Sequence, residues 1–339
     1  MRILILGGTA FLSREIAGQA VAAGYDVTCL ARGISGEPPP GAHWVRADRA
    51  TGPAAYSGLM GDWDAVIEVA RDPGPARQAL TGLAGRAGHW TFVSSCSAYA
   101  GHSVPGEAED AALLPALPPG VQSTPETYGE SKVAIEEATL EAAAGKAHLC
   151  RAGLLSGPGD PTDRYGYWPA RIARNSGPVL VPDIGENPTQ VMDVRDLAAW
   201  ILLAAGKGIS GTLNALGDKV PFAELISACH EASASGSTTI TAGGEWLVDQ
   251  GVNYWSGPDS LPLWLPPGHD GFMTRSNQAA RAAGMVLRPW QETLAATLAD
   301  ERLRGLDRQR KAGLSPATEQ RLVAMLQGES RAGRGSGRA

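Results

Sequence analysis

Arg2-Ile-Leu-Ile-Leu-Gly-Gly-Thr-Ala-Phe-Leu-Ser13 is the stretch whose reading decides the fold. Residues 3–6 form a short continuous apolar run, the pattern of a strand buried on both faces. The run meets Gly7 and Gly8, where a tight turn needs residues without Cβ, and an apolar periodicity over 11–23 predicts a helix. Strand, glycine turn and helix in that order make the first unit of an alternating α/β sheet. The amides at the start of such a helix suit a phosphate group.

Outward from this unit the alternation continues. Residues 26–31, 42–47, 64–70, 89–95 and 147–152 predict strands, and 75–86 and 127–143 predict helices. The expectation is a doubly wound, Rossmann-type parallel sheet with helices on both faces. Beyond Gly153 the pattern coarsens, with helices predicted at 165–175, 194–205, 277–283, 289–301 and 316–327 and a short strand at 190–192. A proline- and tryptophan-rich stretch spans 254–271. A boundary near residue 155 separates a dinucleotide-binding domain, 1–155, from a smaller substrate lobe, 156–327, with 193–206 able to pack back onto the sheet. The Gly-, Ser- and Arg-rich tail, 328–339, predicts disorder.

Composition narrows the class. A chain of 339 residues accords with about two domains, and 43% hydrophobic against 19% charged residues excludes wholesale disorder. The net charge of −6 argues against a nucleic-acid partner. Cys29, Cys96, Cys150 and Cys229 lie far apart with no C-x-x-C pair, which indicates neither a zinc site nor a disulfide framework. The six histidines show no metal-ligand spacing, so no metal is expected. The N-terminal apolar run is too short for a signal peptide, and no stretch approaches a membrane helix. A soluble, cytoplasmic protein with no membrane partner is the expectation.

Tyr128 and Lys132 stand at i and i+4 of a predicted helix, on one face and one turn apart. A nearby ammonium favours the phenolate of a tyrosine whose ordinary pKa is about 10, which suits the pair to acid/base work. At the end of the second predicted strand stands Arg32, with no acid to meet a ribose hydroxyl. A guanidinium there suits a 2′-phosphate, with Arg14 as a second cation, so the cofactor expected is NADP, with NAD as the alternative.

Three motifs follow in order: Gly7 to Ser13, Ser94-Ser-Cys-Ser-Ala-Tyr99 and Tyr128-Gly-Glu-Ser-Lys132. In that order and spacing they resemble the extended branch of the short-chain dehydrogenase/reductase superfamily, the NAD-dependent epimerase/dehydratase family. Leu154-Leu-Ser-Gly-Pro158, Val191-Met-Asp-Val-Arg-Asp-Leu197 and Ala283-Gly-Met-Val-Leu-Arg-Pro289 resemble its later landmarks, so the likeness covers nearly the whole chain. Of the family's Gly-x-x-Gly-x-x-Gly loop only Gly7 stands, with Ala10 and Ser13 at the other two places. The resemblance implies that Gly7, Thr9, Ala10, Phe11, Leu12, Arg32, Asp48, Ala70 and Lys132 line the cofactor. It also implies catalysis by Ser95, Tyr128 and Lys132.

Family dehydratases carry Asp-Glu directly after the serine, and Cys96-Ser97 offers no carboxylate. Members that bind nucleotide sugars commonly carry asparagine where this chain has Leu154. With Ser97, Tyr165 and Trp168, Leu154 is expected to contact a small, hydrophobic or aromatic substrate. The function implied is hydride transfer between a nicotinamide and a carbonyl or alcohol carbon. The alternatives are a sugar epimerase, or a non-catalytic dinucleotide-sensing or RNA-binding relative, and a homodimer is compatible with all of them.

Overall fold

Ile3 and Ile5 point into one core and Leu4 and Leu6 into another, all four fully or almost fully buried. The run is continuously apolar because each face of the first strand meets its own layer of helices. The computed structural model describes residues 1–335. The chain divides into two units: 1–155 with 192–218 and 271–288, and 156–191 with 219–270 and 289 onward.

The order begins β1 (Arg2–Leu6), α1 (Phe11–Ala22), β2 (Asp26–Ala31), β3 (His43–Arg46), β4 (Trp63–Glu68) and α2 (Pro73–Leu83). It continues with β5 (Ala87–Ser95), α3 (Tyr128–Ala142), β6 (Ala147–Ala152), β7 (Leu154–Ser156), α4 (Arg164–Ala173), β8 (Val179–Pro182) and β9 (Pro188–Asp193). Next come α5 (Val194–Lys207), β10 (Gly211–Ala215), β11 (Lys219–Pro221), α6 (Phe222–Ser233), β12 (Thr239–Ala242) and α7 (Gly244–Asp249). The last helices are α8 (Gln278–Ala282), α9 (Trp290–Arg304) and α10 (Pro316–Gly335).

In the first unit seven strands form a wholly parallel sheet in the order β10-β6-β5-β4-β1-β2-β3. This is the doubly wound sheet expected from the sequence. Ile16 and Ala20 of α1 and Trp200 and Ile201 of α5 share a core with Ile3 and Ile5. Leu80 of α2 and Trp90 of β5 lie with Leu4 and Leu6. Strand order reverses between β1 and β4, and ligands of such sheets bind in the crevice beyond the carboxyl ends at that point.

Several elements differ from the sequence expectation, which left out β7, β8, β10, β11, β12, α6 and α7. α2 begins two residues early, because the Asp72 carboxylate accepts from the Gly74 amide at 2.9 Å and Pro73 occupies the first turn. A missing N–H costs nothing there. β10 completes the sheet against β6 where no strand was expected.

In the second unit β8 pairs in parallel with β12, and Pro188–Gln190 of β9 pairs antiparallel with β11. The disorder expected from residue 328 covers the end of α10, whose backbone is helical to Gly335, and residues 336–339, which lie outside the described ones.

Candidate active site at the sheet's switch point

Gly7 (φ 147°) and Gly8 (φ 101°) carry the chain from β1 into α1 with backbone angles that side-chain-bearing residues rarely adopt. A Cβ on Gly8 would overlap the Cys29 thiol, and one on Gly7 would stand 3.2 Å from the Ser13 hydroxyl. The vacancy at Gly7 explains how serine is accommodated at position 13. Its hydroxyl donates to the Ala10 carbonyl at 2.9 Å. Ala10 is the N-cap of α1 and gives it no side-chain cap, so the helix start carries its positive end without a local acceptor. Thr9 is buried, Leu12 nearly so, and Phe11 is half-buried at φ 29°. An uncapped helix start behind a glycine turn fits the pyrophosphate of a dinucleotide.

Arg32 lies one residue beyond β2 and is exposed, with its guanidinium 3.9 Å from the Asp48 carboxylate. Asp48 caps the turn that follows β3, accepting from the Ala50 amide at 2.9 Å. Such an exposed pair contributes little to stability and leaves the guanidinium able to turn toward an anion. Arg46 Nε holds the Arg32 carbonyl at 3.2 Å, fixing the backbone from which that side chain projects. Arg14 donates to the Glu37 carbonyl at 3.4 Å.

Ser95 ends β5. Its hydroxyl donates to Ser97 Oγ at 3.2 Å and accepts from the Ser97 amide at 3.1 Å, capping the short turn formed by residues 96–98. Tyr128 opens α3, and its neighbour Gly129 lies directly on that turn. A Cβ at 129 would overlap the Ser97 carbonyl oxygen and the Leu114 side chain. Gly129 thus lets the first turn of α3 reach the end of β5, bringing Tyr128 to the serines. Gly129→Ala is expected to lower stability by about 1–3 kcal/mol, the usual cost of overpacking. Thermal unfolding measures it, and an unchanged midpoint would show that the contact yields freely.

Lys132 is 3% exposed. Its Nζ donates to the carbonyls of Ala70 at 2.8 Å and Val93 at 2.7 Å, and lies 4.7 Å over the Phe92 ring. Its Nζ is 5.5 Å from the Tyr128 ring centroid. Burial drives its pKa down to about 7, against an upward pull from Glu68. Beneath these groups Arg151 and Ser94 both bind the buried Glu136 carboxylate, Arg151 at 2.7 Å. Tyr99 is pressed between the Arg151 and Arg275 guanidinium groups and donates to Asn214 at 2.7 Å. Cys96 is buried, and burial pushes its thiol up to about 12, away from nucleophilic chemistry.

Ser95, Ser97, Tyr128, Lys132 and Ala70 therefore gather at the carboxyl ends of β4 and β5 in the first unit. Leu154 is buried in that unit also. Tyr165 and Trp168 belong to the second unit, on α4, and both are buried. The Trp168 indole donates to the Pro262 carbonyl at 2.9 Å and meets the Tyr167 and Phe222 rings edge-on. All four cysteines are buried and unpaired. Among the described residues, no group of three or more His, Cys, Asp or Glu side chains could hold a metal, and no helix is long and apolar enough to cross a membrane.

Sequence reasoning missed Glu68 and Arg49, a buried ion pair beneath the crevice. A glutamate closing an otherwise apolar strand was the available signal.

Residues 77–215 match the sequence model of the NAD dependent epimerase/dehydratase family. No curated protein matches the chain. UDP-glucuronic acid 4-epimerase from Bacillus cereus, solved with NAD, is 16% identical with a TM-score of 0.66, over 90% of this chain and 99% of that one. UDP-glucose 4-epimerase from Thermotoga maritima, solved with UDP-glucose, is 17% identical with a TM-score of 0.64, over 90% and 99%. The Bordetella bronchiseptica enzyme WbmH, solved with NAD+, is 17% identical with a TM-score of 0.63, over 89% and 98%. At these identities the structural likeness is one of fold.

Proposed function

We propose, from the match of residues 77–215 to the sequence model of the NAD dependent epimerase/dehydratase family, that the protein is a dinucleotide-dependent oxidoreductase preferring NADP(H). Its substrate in this reading is a small carbonyl compound or the corresponding alcohol. The observation that carries the reading is the gathering of Tyr128, Ser95 and the buried Lys132 ammonium at the carboxyl ends of neighbouring strands.

When bound, the nicotinamide gives or takes the hydride. The chain's own groups do the rest. The Tyr128 hydroxyl passes its proton to the substrate oxygen in reduction and recovers it in oxidation. Ser95 holds that oxygen by donating its hydroxyl hydrogen, exchanging its present bond to Ser97 for one to substrate. Lys132 stabilises the phenolate that Tyr128 becomes. The α1 amides and Gly7 receive the pyrophosphate, and Thr9, Ala10, Phe11 and Leu12 form its wall. Arg32 meets the 2′-phosphate, with Asp48 near the adenine and Ala70 beside the nicotinamide ribose. Ser97 and the apolar Leu154 face substrate in this reading, which argues against a nucleotide sugar.

Cofactor choice tests this directly. A charge-assisted contact to phosphate is worth roughly 1.5–3 kcal/mol net, so NADP(H) is expected to bind at least about tenfold more tightly than NAD(H). Arg32→Ala should remove most of the difference. Calorimetric titration with both cofactors measures it, and equal affinities for the wild-type protein would overturn the preference. A parallel incubation with UDP-glucose and a panel of ketones and aldehydes separates the reactions. Net oxidation of NADPH supports a reductase, whereas inversion of the sugar without net redox change would make the protein an epimerase.

A further inference from the structure

Glu68 closes β4 at the switch point and is 1% exposed, so its carboxylate is sealed beneath the crevice. Arg49 grips it with two parallel bonds, one of them 2.7 Å from Nη1 to Oε1. The same guanidinium donates to the Pro75 carbonyl at 3.0 Å and to the Tyr56 hydroxyl at 3.1 Å. Oε1 of Glu68 also accepts from the Ala70 amide at 2.9 Å. The carbonyl of that same Ala70 accepts from Lys132 Nζ.

We propose that Glu68 is a positioning residue for Lys132, pinning Ala70 so that its carbonyl holds the ammonium and supplying the negative charge that keeps this buried group protonated. The proposal rests on the reading of Lys132 as the partner of Tyr128. The two oxygens that touch Lys132 are neutral carbonyls, and neutral acceptors alone do not offset the desolvation of a buried charge. Glu68 faces Lys132 from β4, Arg71 from the segment after β4, and Glu136 from α3 itself, with Tyr128 one turn away. Arg71 disfavours the ammonium and the two glutamates favour it. Both glutamates are paired with an arginine, Glu68 with Arg49 and Glu136 with Arg151, so it is the bonding path and not the pairing that tells them apart. Only Glu68 is joined to Lys132 through a single residue, bonded at both its amide and its carbonyl.

The chain has few lysines (132, 146, 207, 219 and 311), so an NMR titration of lysine labelled with carbon-13 at Cε resolves each. Loss of one signal in Lys132→Met assigns it. Glu68→Gln keeps an oxygen for the Ala70 amide but removes the charge. The titration midpoint of Lys132 is expected to fall by about one unit or more, a tenfold loss of ammonium at a given pH. A purely structural role gives the opposite sign, because a loosened site moves the midpoint up toward the ordinary lysine value. A rise, or no movement, therefore overturns the proposal. Arg49→Leu combined with Glu68→Gln removes the cation that the single change leaves unpaired. It serves if the single variant does not fold, and again a fall is expected. NADPH titration of the wild-type protein keeps the two ideas apart. No binding there would sink the oxidoreductase reading, whereas intact binding with an unmoved Lys132 midpoint would sink only the role of Glu68.

Discussion

Tyr128→Phe is expected to lower turnover by about 10²–10⁴-fold, the usual contribution of a positioned acid/base group. The cofactor dissociation constant should hardly change. The hydroxyl is the only group lost, and neither Lys132, held by Ala70 and Val93, nor the α1 turn depends on it. Steady-state reduction of the ketone and aldehyde panel by NADPH, with calorimetry for affinity, separates the two quantities. Turnover close to wild type would place the proton donor elsewhere. Equal losses of turnover and affinity would mean that the ring supports the cofactor rather than the chemistry.

Acid should destabilise the first unit through His148. The ring is fully buried, with Nδ1 3.3 Å from Thr91 Oγ1 and the Trp200 indole edge-on at 5.5 Å. Burial, reinforced by the neighbouring His89, pushes its pKa down to about 3. Unfolded, the imidazole takes a proton near pH 6.5. The sign follows: the contribution is fully present above pH 6.5 and is lost as pH falls toward 3, because the unfolded chain then binds the extra proton. At about 1.4 kcal/mol per unit, the loss near pH 4 is about 3 kcal/mol. His89, lowered by burial as well, acts in the same direction. Denaturant unfolding at pH 7 and pH 4 should show a smaller drop for His148→Asn than for wild type. Identical drops would mean that the folded protein accommodates the charged ring.

What could be read from the sequence was local. The apolar run at 3–6 announced β1 because both faces of that strand are covered, and Tyr128 with Lys132 announced a pair because i and i+4 meet on any helix. Arg32 was singled out by the absence of an acid at one strand end. β10 was missed because Gly211-Thr-Leu-Asn-Ala215 is short and only partly buried, and it acquires its identity by pairing with β6 across a long stretch of chain. The Arg49–Glu68 pair joins residues on two different segments, and no local periodicity marks such a match. Gly129 stood in the sequence only as one position of the Tyr128–Lys132 motif. Its requirement arises from the Ser97 carbonyl, which tertiary structure brings against it.

That last contact separates two lengths of chain with different freedoms. Between the turn after β5 and the start of α3 runs a long connection, stitched at its base by Leu114 N to Ala98 O and Leu117 N to Glu130 O, both at 2.9 Å. The tyrosine is registered by the direct seating of Gly129 on Ser97, so its location does not depend on how far the connection travels. Doubling the length of a flexible loop adds only about 0.6 kcal/mol of closure entropy. The span 101–112 is tied to its surroundings, with Arg275 on the Gly101 carbonyl and the Asn214 amide on Glu109, so changes of length fall in the exposed stretch 118–122 while the reacting groups keep their register. The tyrosine is anchored by a glycine, and only the exposed tip of the connection is free to change its length.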